Sequence, residues 1–277
     1  MQFADRLNNV ETSAIRELFK LLGKPGIISF AGGFPDSAMF DVDGIKEASL
    51  KALTEEPGAA LQYGATEGYN PLREQLAAFM AAKGATALAP ENLIVTTGSQ
   101  QALDLLGKTL ISPGDKVIVE GPTFLATIQC FRLYGAELIS APIDGHGVKT
   151  DELEKLIAEH RPKFVYLIPT FGNPSGAMLS AERRKAVLEM AVKHNTLIVE
   201  DDPYGDLYFG EAPPPSLLNL SASVPGSREL LVHCGSLSKV LSPGLRVGWM
   251  IAPAELLGKA TMCKQFSDAH TSTFAQA

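Results

Sequence analysis

The chain has 277 residues, of which 45% are hydrophobic and 20% are charged, and its formal net charge is −7. This composition is typical of a globular protein, and the negative charge argues against nucleic acid as a main partner. No apolar run is long enough to span a bilayer, and the charged N-terminus lacks the apolar region of a secretion signal, which argues against membrane insertion and export.

The cysteine pattern indicates neither a disulfide framework nor a zinc site. The 3 cysteines are an odd number, they are widely spaced, and no CxxC pair occurs among them. The 5 histidines show no spacing typical of metal ligands. We therefore predict free thiols, no metal site and a cytoplasmic location.

The N-terminal part of the chain predicts a helix over residues 13–22, because an apolar stripe with helical spacing is followed by Gly23 and Pro25. The glycine-rich segment 27–40 is typical of a loop. A second helix is expected to begin at Asn70–Pro71, with Asn70 as the N-cap, and to end at Gly84.

From residue 92 onward, short apolar runs alternate with segments of helical periodicity. The predicted strands are 93–97, 116–120, 137–141, 164–169, 197–201, 230–234 and 246–252, and the predicted helices are 100–110, 125–134, 151–160 and 181–194. This alternation predicts an α/β fold, with a seven-stranded, mainly parallel sheet covered by helices on both faces. The link from Ser238 to Arg246 is too short for a crossover helix, so the last strand is expected to be antiparallel to its neighbour.

Ligands bind at the carboxyl ends of the strands in such sheets, and polar motifs follow several of these strands. Ser99 and Gln100 follow the first strand and open a helix, which suits an anion, although Ser99 alone is equally typical of an N-cap. Phe124 follows the second strand; it can lie against an aromatic ligand, or it can belong to the core.

The next strands are followed by an amide and by carboxylates. Asn173 lies in an Asn–Pro turn and can point its amide into the cleft, or it can be an ordinary turn residue. Asp201 and Asp202 end the fifth strand, and adjacent carboxylates there need a cationic partner, such as a protonated ring nitrogen. Tyr204 is close enough in the turn to face the same ligand as Asp201.

The sixth strand ends in the run Cys-Gly-Ser-Leu-Ser-Lys, which places Ser236, Ser238 and Lys239 before Arg246. A lysine there can hold an aldehyde cofactor as a Schiff base, while the hydroxyls and the guanidinium bind a phosphate; a solvated lysine is the alternative. The segment alone does not distinguish a Schiff-base lysine from a solvated one, so the other motifs must decide. Together they match the needs of pyridoxal 5′-phosphate.

The chain resembles the fold-type I pyridoxal-phosphate aminotransferases of class I/II, in particular the branch of aminoadipate, kynurenine and multi-substrate aminotransferases. The resemblance extends along the whole chain through QYGATEGYNPLREQLA, TTGSQQALDL, GPTF, NPSG, EDDPYGDL and GSLSKVLSPGLRVGW. It implies a transaminase that moves an amino group between an L-amino acid and a 2-oxo acid. A lyase or decarboxylase on the same fold, and the aminotransferase-like sensor of a transcription regulator, are the alternatives.

The family's roles can be assigned to the matching residues. The resemblance implies that Lys239 forms the Schiff base and moves the proton, that Asp201 pairs with the ring nitrogen, and that Asn173 and Tyr204 bind the ring hydroxyl. The phosphate would be bound by Ser99, Gln100, Ser236, Ser238 and Arg246, and Phe124 would stack on the ring.

Further assignments concern the neighbouring subunit and the substrate. Tyr63 resembles a tyrosine that reaches the neighbouring subunit's phosphate, which implies a homodimer with shared active sites; an ordinary buried aromatic is the alternative. Gly33 resembles a glycine near the substrate, where Asn173 also binds, although loop flexibility explains it too. Arg16 resembles an arginine that meets a distal carboxylate, although pairing with Glu17 on an exposed helix is equally consistent.

The resemblance also suggests a division into domains. We interpret residues 1–40 as an N-terminal segment of the small domain and residues 41–277 as the large, cofactor-binding domain. Family members are longer, and no arginine follows Arg246 in this sequence. We therefore expect the C-terminal small domain, with its arginine for the substrate's α-carboxylate, to be absent from this chain.

Overall fold

A computed structural model describes residues 1–7 and 33–277 of the chain. The strands within these residues are β1 (Leu93–Thr96), β2 (Lys116–Gly121), β3 (Glu137–Asp144), β4 (Gly147–Val148), β5 (Phe164–Leu167), β6 (Leu197–Asp202), β7 (Leu231–Ser236) and β8 (Gly248–Ile251). They form one sheet in the order β1-β8-β7-β6-β5-β2-β3-β4. The predicted helix over residues 13–22 lies outside the described residues.

The pairing confirms a mainly parallel sheet. Strands β3, β2, β5, β6 and β7 run parallel to one another, whereas β8 is antiparallel to both β7 and β1, and β4 is antiparallel to β3. The predicted antiparallel last strand is therefore confirmed. The predicted number of seven strands was wrong by one, because β3 continues to Asp144 and pairs with the two-residue β4. Gly147 has a φ of 82°, which permits the tight turn between them.

The helices within the described residues are α1 (Val42–Glu55), α2 (Pro57–Leu61), α3 (Asn70–Ala82), α4 (Ser99–Leu110), α5 (Leu125–Leu133), α6 (Thr150–His160), α7 (Ala181–His194), α8 (Leu217–Leu220), α9 (Ala254–Gln265) and α10 (Thr273–Gln276). The sequence did not predict α1, α9 or the short helices α2, α8 and α10; α1 buries only Ala52. Ser180 caps α7 by accepting from the Arg183 N–H. Asn70 was wrongly assigned as a cap; it lies inside α3, and its side chain accepts from Arg73.

Helices cover both faces of the sheet and enclose two apolar layers. On one face, α3, α6, α7 and α8 pack on strand residues that include Ile118, Val165 and Ile198. On the other face, α4, α5 and α9 pack on the alternate residues, including Val117, Tyr166 and Val199. Because side chains alternate along a strand, neighbouring residues at a strand end also point to opposite faces. In the part of the chain that the structure describes, no helix is both long enough and apolar enough to cross a membrane.

Candidate active site

The predicted motifs meet at one edge of the sheet. Strands β2, β5, β6 and β7 run in parallel, so their carboxyl ends share this edge. Strand β1 joins them, because β1 and β7 are each antiparallel to β8. The register places Gly248, at the start of β8, opposite both Thr96 and Ser236. The segments that follow these strands therefore surround a common site.

Lys239 lies in the turn that follows β7 and is partly buried. Its Nζ donates to the Gly33 carbonyl over 3.0 Å and lies 5.9 Å from the centre of the Tyr204 ring. Burial lowers the pKa of the Lys239 ammonium group. The amine is thus closer to the neutral form that nucleophilic attack requires than a solvated lysine would be.

Asp201 is buried at the end of β6, with only 3% of its surface exposed. Its Oδ2 accepts a 2.7 Å hydrogen bond from the Tyr166 hydroxyl. Its Oδ1 is also buried, but it has no hydrogen-bond partner among the described residues. Burial is the main cause that raises the pKa of Asp201 to about 6. A buried carboxylate oxygen without a partner is costly, so this atom is suited to an incoming donor.

Glu200 points to the opposite face and has a structural role. It is fully buried, and its Oε2 lies 2.8 Å from Nδ1 of His233. It also accepts from the first backbone N–H groups of α8, those of Leu217 and Leu218. Its bond to the imidazole raises the pKa of His233 against the effect of burial. This pair anchors α8 to the sheet, and both oxygens of Glu200 are already hydrogen-bonded.

Asn173 and Tyr204 come together across the cleft. The Asn173 side-chain amide donates to the Tyr204 hydroxyl over 3.4 Å. Asn173 follows β5 and Tyr204 follows β6, which are neighbouring parallel strands. The structure therefore brings the two predicted residues into contact at the carboxyl ends of neighbouring strands.

The N-terminus of α4 packs against Arg246 in an arrangement that favours glycine. Gly98 has a φ of 74°, and a Cβ built on it would lie 2.3 Å from Nη2 of Arg246. A Cβ on Gly248 would lie 2.7 Å from the backbone N of Ser99. The first N–H groups of a helix have no partner within the helix, and here they lie beside a guanidinium group. This cluster of Gly98, Ser99, Arg246 and Gly248, here called the cradle, has the chemistry of an anion site.

The two serines after β7 are hydrogen-bonded to each other. Ser236 donates its hydroxyl proton to the Ser238 hydroxyl over 2.9 Å and accepts from the Ser238 N–H over 3.1 Å. Ser236 lies opposite Gly248 in the sheet, which places it next to the cradle. Gln100 is exposed in the first turn of α4.

The remaining predicted residues are more peripheral. Phe124 is partly buried just before α5 and packs against the apolar layer on that face. Tyr63 is 85% exposed, and its ring meets the His270 ring edge-on at 5.8 Å. The alternative reading of Tyr63 as a buried aromatic was therefore wrong. Gly33 is exposed and bonds Lys239, whereas Arg16 lies outside the described residues.

Tyr166 and Thr127 contact the site carboxylate network but were not found from the sequence. Tyr166 lies in the apolar run of β5, and its hydroxyl accepts from Thr127 over 3.1 Å. One signal was available, since a tyrosine in a fully buried strand needs a partner for its hydroxyl. The sequence does not reveal which partner that is.

Comparison with known proteins identifies the family of this chain. The family model for class I and II aminotransferases matches residues 26–277. A 2-aminoadipate transaminase from Thermus thermophilus is 43% identical over 276 residues, which are 99% of this chain and 67% of that protein. An aromatic-amino-acid aminotransferase from Thermococcus litoralis is 40% identical and is covered to 66%. The chain thus spans about two thirds of the length of these relatives.

Solved structures agree with this fold. LysN, an α-aminoadipate aminotransferase from Thermus thermophilus complexed with N-(5′-phosphopyridoxyl)-L-leucine, has a TM-score of 0.90 and 41% identity, covering 99% of this chain and 67% of that one. A kynurenine aminotransferase from Pyrococcus horikoshii, solved with PMP, has a TM-score of 0.92 and 36% identity, with 99% and 68% covered. An HTH-type transcriptional regulator of Bacillus subtilis is also similar, with 31% identity over 79% of this chain and 44% of that protein.

Proposed function

This chain belongs to the family of class I and II aminotransferases, whose cofactor is pyridoxal 5′-phosphate, and we propose that it forms the cofactor-binding part of a transaminase. Its reaction moves an amino group between an L-amino acid and a 2-oxo acid. The observation that carries this proposal is the buried Oδ1 of Asp201, which has no partner among the described residues. A protonated ring nitrogen supplies both the donor and the positive charge that this oxygen lacks.

The residues around Asp201 fit the rest of the cofactor. The cradle, with the backbone N–H groups of Ser99 and Gln100 and the hydroxyls of Ser236 and Ser238, binds its phosphate. Asn173 and Tyr204 bind the oxygen on the ring. Phe124, just before α5, would stack on the ring.

Each polar group has a defined task in the reaction. When bound, pyridoxal phosphate supplies an aldehyde carbon and an electron-withdrawing ring. Asp201 would hold the proton on the ring nitrogen, because its carboxylate is desolvated and its Oδ1 has no other donor among the described residues. Lys239 Nζ accepts the proton that leaves Cα of the amino acid, and its lowered pKa favours the neutral amine needed for that transfer.

The substrate range, subunit arrangement and cellular location extend this proposal. Gly33 and Asn173 lie beside the substrate, and Arg16 favours acidic side chains. Tyr63, 85% exposed, serves the phosphate site of a second copy of the chain. Cys130, Cys234 and Cys263 are free thiols, which fits a reducing cytoplasm. Residues 41–277 correspond to the large domain of the family, and residues 1–40 to a segment of its small domain.

A donor screen tests the function and the role of Arg16 together. The cofactor-loaded protein is mixed with single L-amino acids, and the conversion of the bound cofactor to its amine form is followed by absorbance. We expect conversion with 2-aminoadipate and aromatic donors, and a loss of preference for acidic donors in Arg16→Ala. Cofactor uptake without conversion by any donor in the full-length protein, which carries the site for the substrate's α-carboxylate, would contradict the proposed transamination. Unchanged relative rates in Arg16→Ala would contradict the assignment of Arg16.

A second candidate function follows from the similarity to the Bacillus subtilis regulator, which covers 79% of this chain. In that case the same cofactor site serves as a sensor of amino acids or of the cofactor itself. The donor screen separates the two functions, since a sensor binds the cofactor without catalytic turnover. Sustained turnover with a 2-oxo acid acceptor would exclude the sensor as the only role.

A further inference from the structure

Three buried side chains form a hydrogen-bonded chain beneath the cleft. Thr127, in α5, donates to the Tyr166 hydroxyl over 3.1 Å, and Tyr166 donates to Oδ2 of Asp201 over 2.7 Å. Thr127 and Tyr166 are both fully buried. A phenol has a single proton, and the bond from Thr127 occupies its acceptor side. The proton of Tyr166 is therefore directed to Asp201.

The Tyr166 ring is held by its neighbours. Phe131 packs against it edge-on, with ring centres 5.8 Å apart, and the same Phe131 ring packs against Phe164 at 5.1 Å. Phe164 and Tyr166 are two residues apart in β5 and share a face of the sheet. Burial raises the pKa of Tyr166 well above its usual value, so the phenol keeps its proton and remains a donor.

The bond from Tyr166 distinguishes the two oxygens of Asp201. Oδ2 is occupied by the phenol, and Oδ1 is left without a partner within the described ranges. The bond also opposes burial, because hydrogen bonding lowers the pKa of Asp201 while desolvation raises it. The other ionisable groups that bear on Asp201 are Asp202 and Glu200, which raise its pKa, and His233, which lowers it; buried Cys234 is nearby as well.

We propose that Tyr166, oriented by Thr127, is a positioning residue that reserves Oδ1 of Asp201 for the cofactor's ring N–H and stabilises the anionic carboxylate. This inference rests on the proposed function, because it assumes pyridoxal phosphate in the site. Without the phenol, Asp201 can rotate, and its charge is opposed by burial and by the nearby Asp202 and Glu200, with only His233 left to favour it. The ring nitrogen is then held less firmly and loses its proton at a lower pH.

The test uses Tyr166→Phe and pyridoxal phosphate labelled with ¹⁵N in the ring. The ¹⁵N chemical shift reports ring protonation directly, and equilibrium dialysis gives the dissociation constant of the cofactor. We expect Tyr166→Phe still to bind the cofactor, with a dissociation constant about tenfold higher and a ring-nitrogen titration about one pH unit lower. A wild-type titration and dissociation constant in Tyr166→Phe would overturn the inference.

Matched variants separate the hydrogen bond from packing. Phe164→Leu loosens the same aromatic cluster without removing a hydroxyl, so it should lower the melting temperature and leave the nitrogen titration in place. A shift in Phe164→Leu equal to that in Tyr166→Phe would overturn the inference. Thr127→Val should move the titration in the direction of Tyr166→Phe, with a two- to threefold weaker cofactor affinity, whereas Thr127→Ser keeps the hydroxyl and should behave as wild type.

Two further outcomes are distinguishable. If Tyr166→Phe does not fold, Thr127→Val decides the question, and an unchanged titration in that variant overturns the inference. If the wild-type protein binds no pyridoxal phosphate, the proposed function itself fails. A wild type that binds a protonated cofactor, together with variants that do not differ from it, contradicts the role of Tyr166 alone.

Discussion

At the scale of single residues, the chemistry depends on Lys239 and Asp201, whose pKa values are shifted in opposite directions. Burial disfavours the ammonium form of Lys239 and the carboxylate form of Asp201. The neutral amine of Lys239 is the form that attacks an aldehyde, and a protonated ring nitrogen beside Asp201 would supply the positive charge that stabilises its buried carboxylate.

Asp201→Asn tests the cost of this buried charge in the cofactor-free protein. Folding raises the pKa of Asp201 from 3.8 to about 6, so its contribution to stability is fully present below pH 3.8 and is lost as the pH rises through about 6. This pKa shift corresponds to a loss of about 3 kcal/mol at most in the free energy of unfolding. Denaturant unfolding at pH 8 should therefore show Asp201→Asn to be more stable than wild type, with the gap closing towards pH 4.

Glu120 also titrates near neutral pH, because burial raises its pKa to about 7. It is present in both proteins, so the difference between wild type and Asp201→Asn isolates Asp201. A stability difference that does not change with pH would contradict the assignment. Loading both proteins with cofactor should narrow or reverse the gap at pH 8, since only wild type gains the charge pair.

At the scale of elements, the cradle depends on the close approach of β8 to the start of α4. The sequence predicted an anion site there from the position of Ser99 after a strand. It did not predict that Gly98 makes room for Arg246, because that contact joins segments almost 150 residues apart in the chain. The local sequence pattern indicates where α4 begins, whereas the fit between Gly98 and Arg246 depends on how the strands assemble into the sheet.

Gly98→Ala should damage the cradle in two ways. Its φ of 74° is unfavourable for alanine, which costs about 1–2 kcal/mol, and the new Cβ would displace the Arg246 guanidinium. Cofactor affinity should fall at least tenfold, as measured by equilibrium dialysis.

Gly114→Ala is the matched control for backbone strain. Gly114 has a φ of 88°, but a Cβ there meets nothing within 4 Å among the described residues. This variant should lose similar stability and keep its cofactor affinity. Equal losses of affinity in the two variants would show that strain alone, and not displacement of Arg246, explains the effect.

At the scale of the whole molecule, most of the fold follows from sequence patterns. The buried strands and the helices between them were predicted because apolar periodicity and turn residues agree. Helix α1 was missed because its face is mostly exposed. The network of Thr127, Tyr166 and Asp201 was missed because each contact joins separate elements. The roles of individual site residues came from the family resemblance, and the structure adds their geometry.

Shared active sites predict a specific result when two defective chains are mixed. Tyr63→Phe should weaken cofactor binding about tenfold, because it removes a hydrogen bond to a charged phosphate. Lys239→Ala should lose the linkage to the cofactor altogether. A mixed dimer combines Lys239 of one copy with Tyr63 of the other, so it should regain one tight site. Light scattering gives the oligomeric state, and no recovery after mixing would contradict a shared site.

The most direct test of the account is the chemical state of Lys239 in the cofactor-loaded protein. The protein should show a visible absorption band that borohydride removes, and peptide mass spectrometry should then find the reduced cofactor on Lys239. Lys239→Ala should show neither. A colourless wild-type protein that takes up no added pyridoxal phosphate, or a reduced cofactor attached to a different lysine, would contradict the account.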